Sequence, residues 1–437
     1  MTHCSCKISN EFKNFADVEN YLNKLGMFHM ELGLERMENA KFLLGLRFPC
    51  PIFHVVGTNG KGSTATFLHS IALSYGYRAG IFTSPHFVTP LERIKMNDRL
   101  LPKAAWASLI AEATGAVPDL TYFELLTVIS VMAFMYSEPD VLVYEAGLGA
   151  KNDATTVIPA SIVVFTPIAL DHTDLLGGSI ENIAKDKSYA IREGVKAVVS
   201  APQDESVEKI LKERAKALNI PYYTMSCVSE LPACIKVFHK DGLQYELGLK
   251  GEHQYVNAQT ALLAWYVFCD LYHKPLEVKA LAEGLGSAFI AGRFQQVSAK
   301  NEMPALILDG AHNAHSLQSL VSALKTEEIV PSALVFSCLK DKNPVRLVEM
   351  IENYLHENHL TVPVYVTEIQ NNERAMKAEE LEKLFSIPVT KFANLKELMQ
   401  KLPDLVTNKE NPCVIFGSLY LLSEFYALYP EKLQLSY

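Results

Sequence analysis

The run Gly57-Thr-Asn-Gly-Lys-Gly-Ser63 has the residue types that hold a phosphate. Gly57, Gly60 and Gly62 let backbone amides close on an anion, Lys61 supplies a point charge, and the Ser63 hydroxyl can reach a phosphate or a metal. Thr58 and Asn59 complete the turn. In the common GxxxxGK[ST] loop Lys directly precedes Ser or Thr, whereas here Gly62 separates Lys61 from Ser63. A Gly-rich turn without a ligand is the competing reading. The flanking runs argue against it, since Pro51 to Val56 reads as a strand and Thr64 to Leu73 as a helix, which puts the loop at a helix N-terminus.

Three polar groups follow other apolar runs. Val141-Leu-Val-Tyr-Glu145 ends in an acid that can hold Mg²⁺ directly or through water, its bland alternative being a solvated strand-end carboxylate. Thr83-Ser84-Pro85-His86 follows Ile81-Phe82, and the next strand is read as ending in Asp171-His172. His172 alone reads more simply as a structural histidine. Ligands in open α/β sheets bind at the carboxyl ends of strands, so the three groups could converge on the loop.

The elements that must position them alternate as in a parallel sheet covered by helices. Strands are expected at Ile52 to Val56, Ala79 to Phe82, Val141 to Glu145, Ser161 to Pro167 and Ala197 to Ala201. Ile235 to Leu249, with its Asp241-Gly242 turn, reads as an edge hairpin. Helices follow at Asn257 to Tyr272 and Leu276 to Gly286. The pattern then restarts with strands at Pro304 to Leu308, Ala333 to Ser337, Val362 to Thr367 and Cys413 to Phe416, separated by helices such as Pro344 to His356 and Lys377 to Phe385. The fold class is therefore α/β in two domains, 1–292 and a smaller doubly wound 303–437, joined by a linker at 293–302.

Composition agrees with that size. A chain of 437 residues, 49% hydrophobic, exceeds the usual single domain. A net charge of −9 argues against general phosphate attraction, so no nucleic-acid partner is expected. The eight cysteines show no CxxC pair, and no apolar stretch is long enough to span a membrane; a soluble cytoplasmic protein with reduced thiols is expected.

The motifs GTNGKGS, TSPH, TYFE, E-x-GLG-x-x-x-DAT, LDHTDLLG and LDGAHN stand in the order seen in folylpolyglutamate synthases, and the chain resembles that family, in the Mur-ligase superfamily, over nearly its whole length. The resemblance implies a Mur-ligase-type P-loop ATPase domain followed by a Rossmann-like domain. It also implies an ATP-dependent ligation in which a substrate carboxylate is phosphorylated and the amine of L-glutamate attacks the acyl phosphate. Dihydropteroate, reduced folates or both would be the acceptors, ATP and two Mg²⁺ ions the cofactors, and the enzyme a monomer.

Carried over by position, the resemblance makes Ser84, Glu145 and His172 metal ligands, with Lys61, Lys187 and His172 in the catalytic centre. Lys187 aligns with a lysine that the family carbamylates to N6-carboxylysine; an exposed helical lysine is the alternative. ATP would also meet Asn257, Arg293, Asp309 and His312, of which Asn257 is read as opening a helix. The pterin would lie against Leu32-Gly33-Leu34-Glu35-Arg36 and Tyr122-Phe123-Glu124, whose two aromatics could offer stacking surface. Two departures stand out. Lys151 replaces the usual arginine in the Gly147 to Thr156 segment, and Tyr189 sits where a small residue is usual, beside the supposed carbamate. A cell-wall ligase of the same superfamily is the nearest rival, but only 56 residues precede Gly57, too few for its extra domain of about 100 residues. A nucleotide switch is the rival from another class.

Overall fold

Strand β1 (Ile52–Val56) is buried on both faces, as a Val- and Ile-rich strand must be when helices cover both sides of its sheet. In the computed structural model, which describes residues 12–435 apart from 28, 30, 49, 171–176, 227–246 and 301, it lies at the centre of eight strands. The others are β2 (Ala79–Phe82), β3 (Ile94–Met96), β4 (Arg99–Leu100), β5 (Val141–Glu145), β6 (Ile162–Phe165), β7 (Ala197–Ser200) and β8 (Tyr222–Thr224). Their order is β4-β3-β2-β5-β1-β6-β7-β8, parallel except at β3 and β4. From β1 the chain crosses to β2 on one side, and the later strand β6 pairs with β1 on the other, so the crevice expected at such a switch point opens at the carboxyl end of β1, where Gly57 begins.

The second sheet holds β9 (Gln295–Val297), β10 (Leu306–Leu308), β11 (Ala333–Phe336), β12 (Val364–Thr367), β13 (Thr390–Phe392) and β14 (Cys413–Phe416) in the order β13-β12-β11-β14-β10-β9. Only β9 runs antiparallel, against β10. The stretch read as a linker thus contributes an edge strand, because Gln295 and Val297 turn their side chains into the new core while Gln296 faces out. Separate apolar clusters fill each sheet's faces.

Most expected strands stand within two residues of their places. The supposed end of the 161–167 strand is different: β6 stops at Phe165, well before Asp171. The hairpin expected over Ile235 to Leu249 lies, but for its last residues, outside the described residues. The helix expected at Lys377 to Phe385 is only Ala378–Glu382. Among the described residues no helix is long and apolar enough to cross a membrane.

Two histidines sit inside the first domain uncharged. Burial holds His54 at about 3, with Arg192 adding to the effect, and His69 at about 4. Both values lie below the ordinary 6.5, so the unfolded chain takes up these protons first and stability is lost as pH falls from about 6.5. Urea unfolding at pH 7 and pH 5 should show about 2 kcal/mol of loss from each. His69→Gln keeps a donor for the Ala79 carbonyl and should flatten that pH slope; a slope equal to that of the parent protein counts against it.

Candidate active site

The loop is held from beneath by the turn after β6. The Thr58 and Asn59 amides donate to the Pro167 carbonyl at 3.1 and 3.2 Å, and the Thr58 hydroxyl exchanges hydrogen bonds with the Ala169 main chain at 3.1 Å. Gly60 has φ +82° and caps the helix Lys61–Ser74, so the first amides of that helix face the loop. Lys61 folds back over it, donating to the Thr58 carbonyl at 3.3 Å. A Cβ on Gly60 would lie 2.1 Å from Asn257 Oδ1. Gly60→Ala should therefore combine backbone strain of about 1–3 kcal/mol with displacement of Asn257. Calorimetry should find ATP binding weakened at least tenfold, about 1.4 kcal/mol; parent-like affinity would reject the close contact.

Asn257 does not open its helix. That helix spans Glu252–Leu271 from Gly251, so Asn257 lies in its second turn. It is buried, and its amide nitrogen donates to Gln254 at 2.9 Å, which leaves the carbonyl oxygen toward Gly60.

Glu145 ends β5 buried, with only 4% of its surface exposed. Burial raises its carboxyl above the usual range; Lys61, the Ser84 amide, Arg293 and Arg93 pull the other way. The Ser84 amide donates to Oε2 at 2.9 Å, and Gly62 leaves the room above Oε1, since a Cβ there would approach it to 3.5 Å. Ser84 and Glu145 are thus brought together against the loop. His172 lies outside the described residues, among which no cluster of three His, Cys, Asp or Glu side chains forms a ready-made cage. A hydroxyl and one desolvated carboxylate beside a phosphate loop suit Mg²⁺, which keeps waters and takes its remaining ligands from phosphates.

Lys187 is not an exposed helical lysine. It lies in the helix Ile180–Ser188 with 3% exposure, and Nζ donates to the Gly57 carbonyl at 2.9 Å. Its neighbour Asp186 accepts from the Ala150 amide at 2.8 Å, tying this helix to the segment after β5. Tyr189 does not crowd the site; it is 46% exposed, with Lys151 Nζ 5.4 Å and Arg214 Cζ 5.6 Å from its ring centroid. The two departures from the family pattern meet each other as a cation over an aromatic face.

From the second domain, Asp309 follows β10, accepting from the Phe294 and Ala311 amides at 2.8 Å each. Burial raises its carboxyl and Arg293 opposes that rise. Arg293 opposes the rise at Glu145 as well, so its charge acts on carboxylates of both domains. The His312 ring sits nearby, Nδ1 2.8 Å from the Gly310 carbonyl.

The residues expected to border the pterin meet each other. Arg36 grips Glu124 with a fork, Nε to Oε2 and Nη2 to Oε1 at 2.9 Å each, and Glu124 also caps its own helix by accepting from the Thr121 amide. Leu32 is 78% exposed beside them. Tyr122 is core rather than stacking surface, buried at 3% with the Arg93 guanidinium over its ring. Phe123 is half-buried against Phe82, and a Cβ on Gly147 would strike its ring at 2.7 Å.

Some residues at the site carried no assignment from the sequence. Arg93 is buried and donates from Nε to His86 Nδ1 at 2.9 Å, burial holding that imidazole neutral at about 3. The Thr89-x-x-Glu92 capping pattern before it was the one available signal. Asp153 organises the segment after Glu145, accepting from the Leu148 and Thr155 amides and from the Thr155 hydroxyl that also meets His54. It stood inside a motif but without a role.

Residues 55–265 match the Mur ligase middle domain and residues 292–419 the Mur ligase glutamate ligase domain. A dihydrofolate synthase/folylpolyglutamate synthase of Bacillus subtilis is 30% identical over 94% of this chain and 98% of its own. Its namesake from Escherichia coli is 36% identical over 70% and 71%. Among solved structures, Escherichia coli FolC in complex with DHPP and ADP superposes with a TM-score of 0.79 at 26% identity, covering 96% and 98% of the two chains. The bifunctional enzyme of Yersinia pestis, complexed with AMPPNP and Mn ion, does so at 0.78, 26% identity, 95% and 98%. Motif order, two-sheet architecture and these likenesses agree, and the chain belongs to the dihydrofolate synthase/folylpolyglutamate synthase family of Mur ligases.

Proposed function

We propose that this protein joins L-glutamate to dihydropteroate, to the glutamyl tail of reduced folates, or to both, releasing ADP and phosphate. The observation that carries the reading is the convergence of the Gly57–Ser63 loop, Ser84 and Glu145 from the first domain with Arg293 and Asp309 from the second. A carboxylate oxygen of the acceptor attacks the γ-phosphorus of ATP, and ADP leaves. The glutamate nitrogen then attacks the acyl carbon, losing a proton as the amide forms and inorganic phosphate departs.

In this reading the amides at the start of the helix Lys61–Ser74 and the Lys61 ammonium hold the phosphates, and Asn257 keeps the loop in its open turn. Arg293 and His312 face the nucleotide from the second domain, with Asp309 orienting Arg293. Ser84, Glu145 and His172 would hold Mg²⁺, which neutralises phosphate charge when bound. Lys187 would serve as its carbamate, and the 32–36 and 122–124 segments would border the pterin, held in place by the Arg36–Glu124 fork. The labour divides at residues 1–292 and 303–437. The enzyme would act as a monomer, and the free cysteines Cys50, Cys269, Cys338 and Cys413 among the described residues support a cytoplasmic setting.

Purified protein with ATP, Mg²⁺ and glutamate should release ADP only when dihydropteroate or tetrahydrofolate is added. The two acceptors assayed separately decide between single and dual use. ADP release with neither, or release independent of glutamate, sinks the proposal.

A further inference from the structure

The segment between Ser84 and Arg93 is pinned at unusual density. Glu92 accepts from the Phe87, Val88 and Thr89 amides at 2.8, 2.7 and 2.8 Å, the Thr83 amide donates to the Arg93 carbonyl at 3.0 Å, and Arg93 holds His86. So rigid a loop delivers any force on its tip to Ser84, whose amide already meets Glu145. Its tip is Phe87, and Phe87 packs on the second domain.

The Phe87 ring lies 4.9 Å from that of Tyr426, centroid to centroid, among the apolar side chains of the second sheet. It also covers Gly292, where a Cβ would meet Leu422 at 2.7 Å and Phe87 at 2.8 Å, and where φ is +65°. Gly292 is itself fixed. Its amide donates to Gln295 Oε1 at 3.1 Å, the oxygen that also accepts from the Tyr426 hydroxyl at 2.6 Å, and its carbonyl accepts from the Gly310 amide at 2.8 Å. Gln295 closes the set by donating to the Lys432 carbonyl at 2.8 Å. Arg293, whose charge acts on both Glu145 and Asp309, and Asp309 itself are the immediate neighbours of Gly292 and Gly310.

We propose that Phe87 is a positioning residue for the ligase reaction: seated on Tyr426 and Gly292, it sets the distance between the Ser84–Glu145 wall and the Arg293–Asp309 wall of the nucleotide cleft. The arrangement explains why a large aromatic sits at a loop tip and why the position it covers is glycine. Phosphoryl transfer depends on placing groups from both walls at once, and a displacement of about 1 Å costs up to about a hundredfold in rate. The linkage reaches the segment 122–124 only at the base of the loop, where the Arg93 guanidinium lies over the Tyr122 ring, whereas Phe87 at its tip faces the nucleotide side.

The inference rests on the ligase reading, which fails first if the parent protein releases no ADP with glutamate. Phe87→Ala should lower kcat/KM for ATP about tenfold or more and change the KM for the pterin substrate by a much smaller factor. Phe87→Leu, which keeps an apolar plug, should recover most of the loss. Gly292→Ala, which drives a methyl group into the same contact, should reproduce the Phe87→Ala defect. Calorimetric binding of ADP with Mg²⁺, weakened in Phe87→Ala and Gly292→Ala, reports the same geometry without turnover. Parent-like ATP kinetics in Phe87→Ala overturn the proposal, as does an equal loss for both substrates that follows the unfolded fraction in thermal melts.

Discussion

Glu145→Gln should lower glutamate-dependent ADP release by about three orders of magnitude or more while leaving the fold at least as stable. The activity loss follows from the position of the carboxylate. It ends β5, accepts from the Ser84 amide, and lies under Gly62 of the phosphate loop, where a Cβ would come into van der Waals contact with both its oxygens. Glutamine is the same size and keeps an acceptor for that amide, but it carries no charge for a divalent ion. Stability should not suffer, because Glu145 is buried and its ionised form is disfavoured there. Steady-state assays over a Mg²⁺ titration, with urea unfolding in parallel, separate the two effects. A variant that keeps more than a tenth of parent activity at saturating Mg²⁺ would remove Glu145 from the metal site.

Lys187→Ala should lose about a hundredfold or more in kcat and regain part of it with added acetate or formate. The ammonium now donates to the Gly57 carbonyl from an almost fully covered position, so the residue reaches the phosphate loop. A CO₂ adduct on Nζ would turn that cation into an anion beside the metal wall, and a small carboxylate in the space left by alanine would restore the charge. The parent protein should also lose activity when CO₂ is stripped from its buffers and recover it with bicarbonate. Activity in Lys187→Ala equal to that of the parent would reject the carbamate. Loss with no rescue by any short carboxylate, joined to parent behaviour without CO₂, would leave the lysine as a loop anchor only.

The parts of the site that were legible share a physical cause. A phosphate loop is local: its glycines, lysine and serine act within seven residues, and the strand before it and helix after it follow from short apolar runs. Strand ends are local too, which is why Ser84 and Glu145 could be placed beside the loop. The helix Phe15–Leu25, by contrast, is not among the expected elements, though it carries a capping box at Asn14 and Asp17, because its fully buried face is only Val18 and Leu22. Motif order named the family, but Lys187 and Asn257 could be assigned only through that likeness.

What the amino-acid sequence by itself determined is the set of chemically able residues and the α/β rhythm that brings strand ends to one edge. Tertiary structure alone decided which of them meet. Asn257 reaches Gly60 because a helix begun five residues earlier crosses the loop, and Arg293 comes to act on Asp309 as well as Glu145 because β9 pairs with β10. Tyr122 became core and Arg36 took Glu124 as its partner, neither visible in spacing, because burial and ion pairing depend on what the rest of the chain leaves uncovered. The phosphate loop is written in seven residues, whereas the groups around it assemble only once two sheets, one ending at Thr224 and the other beginning at Gln295, have formed and packed.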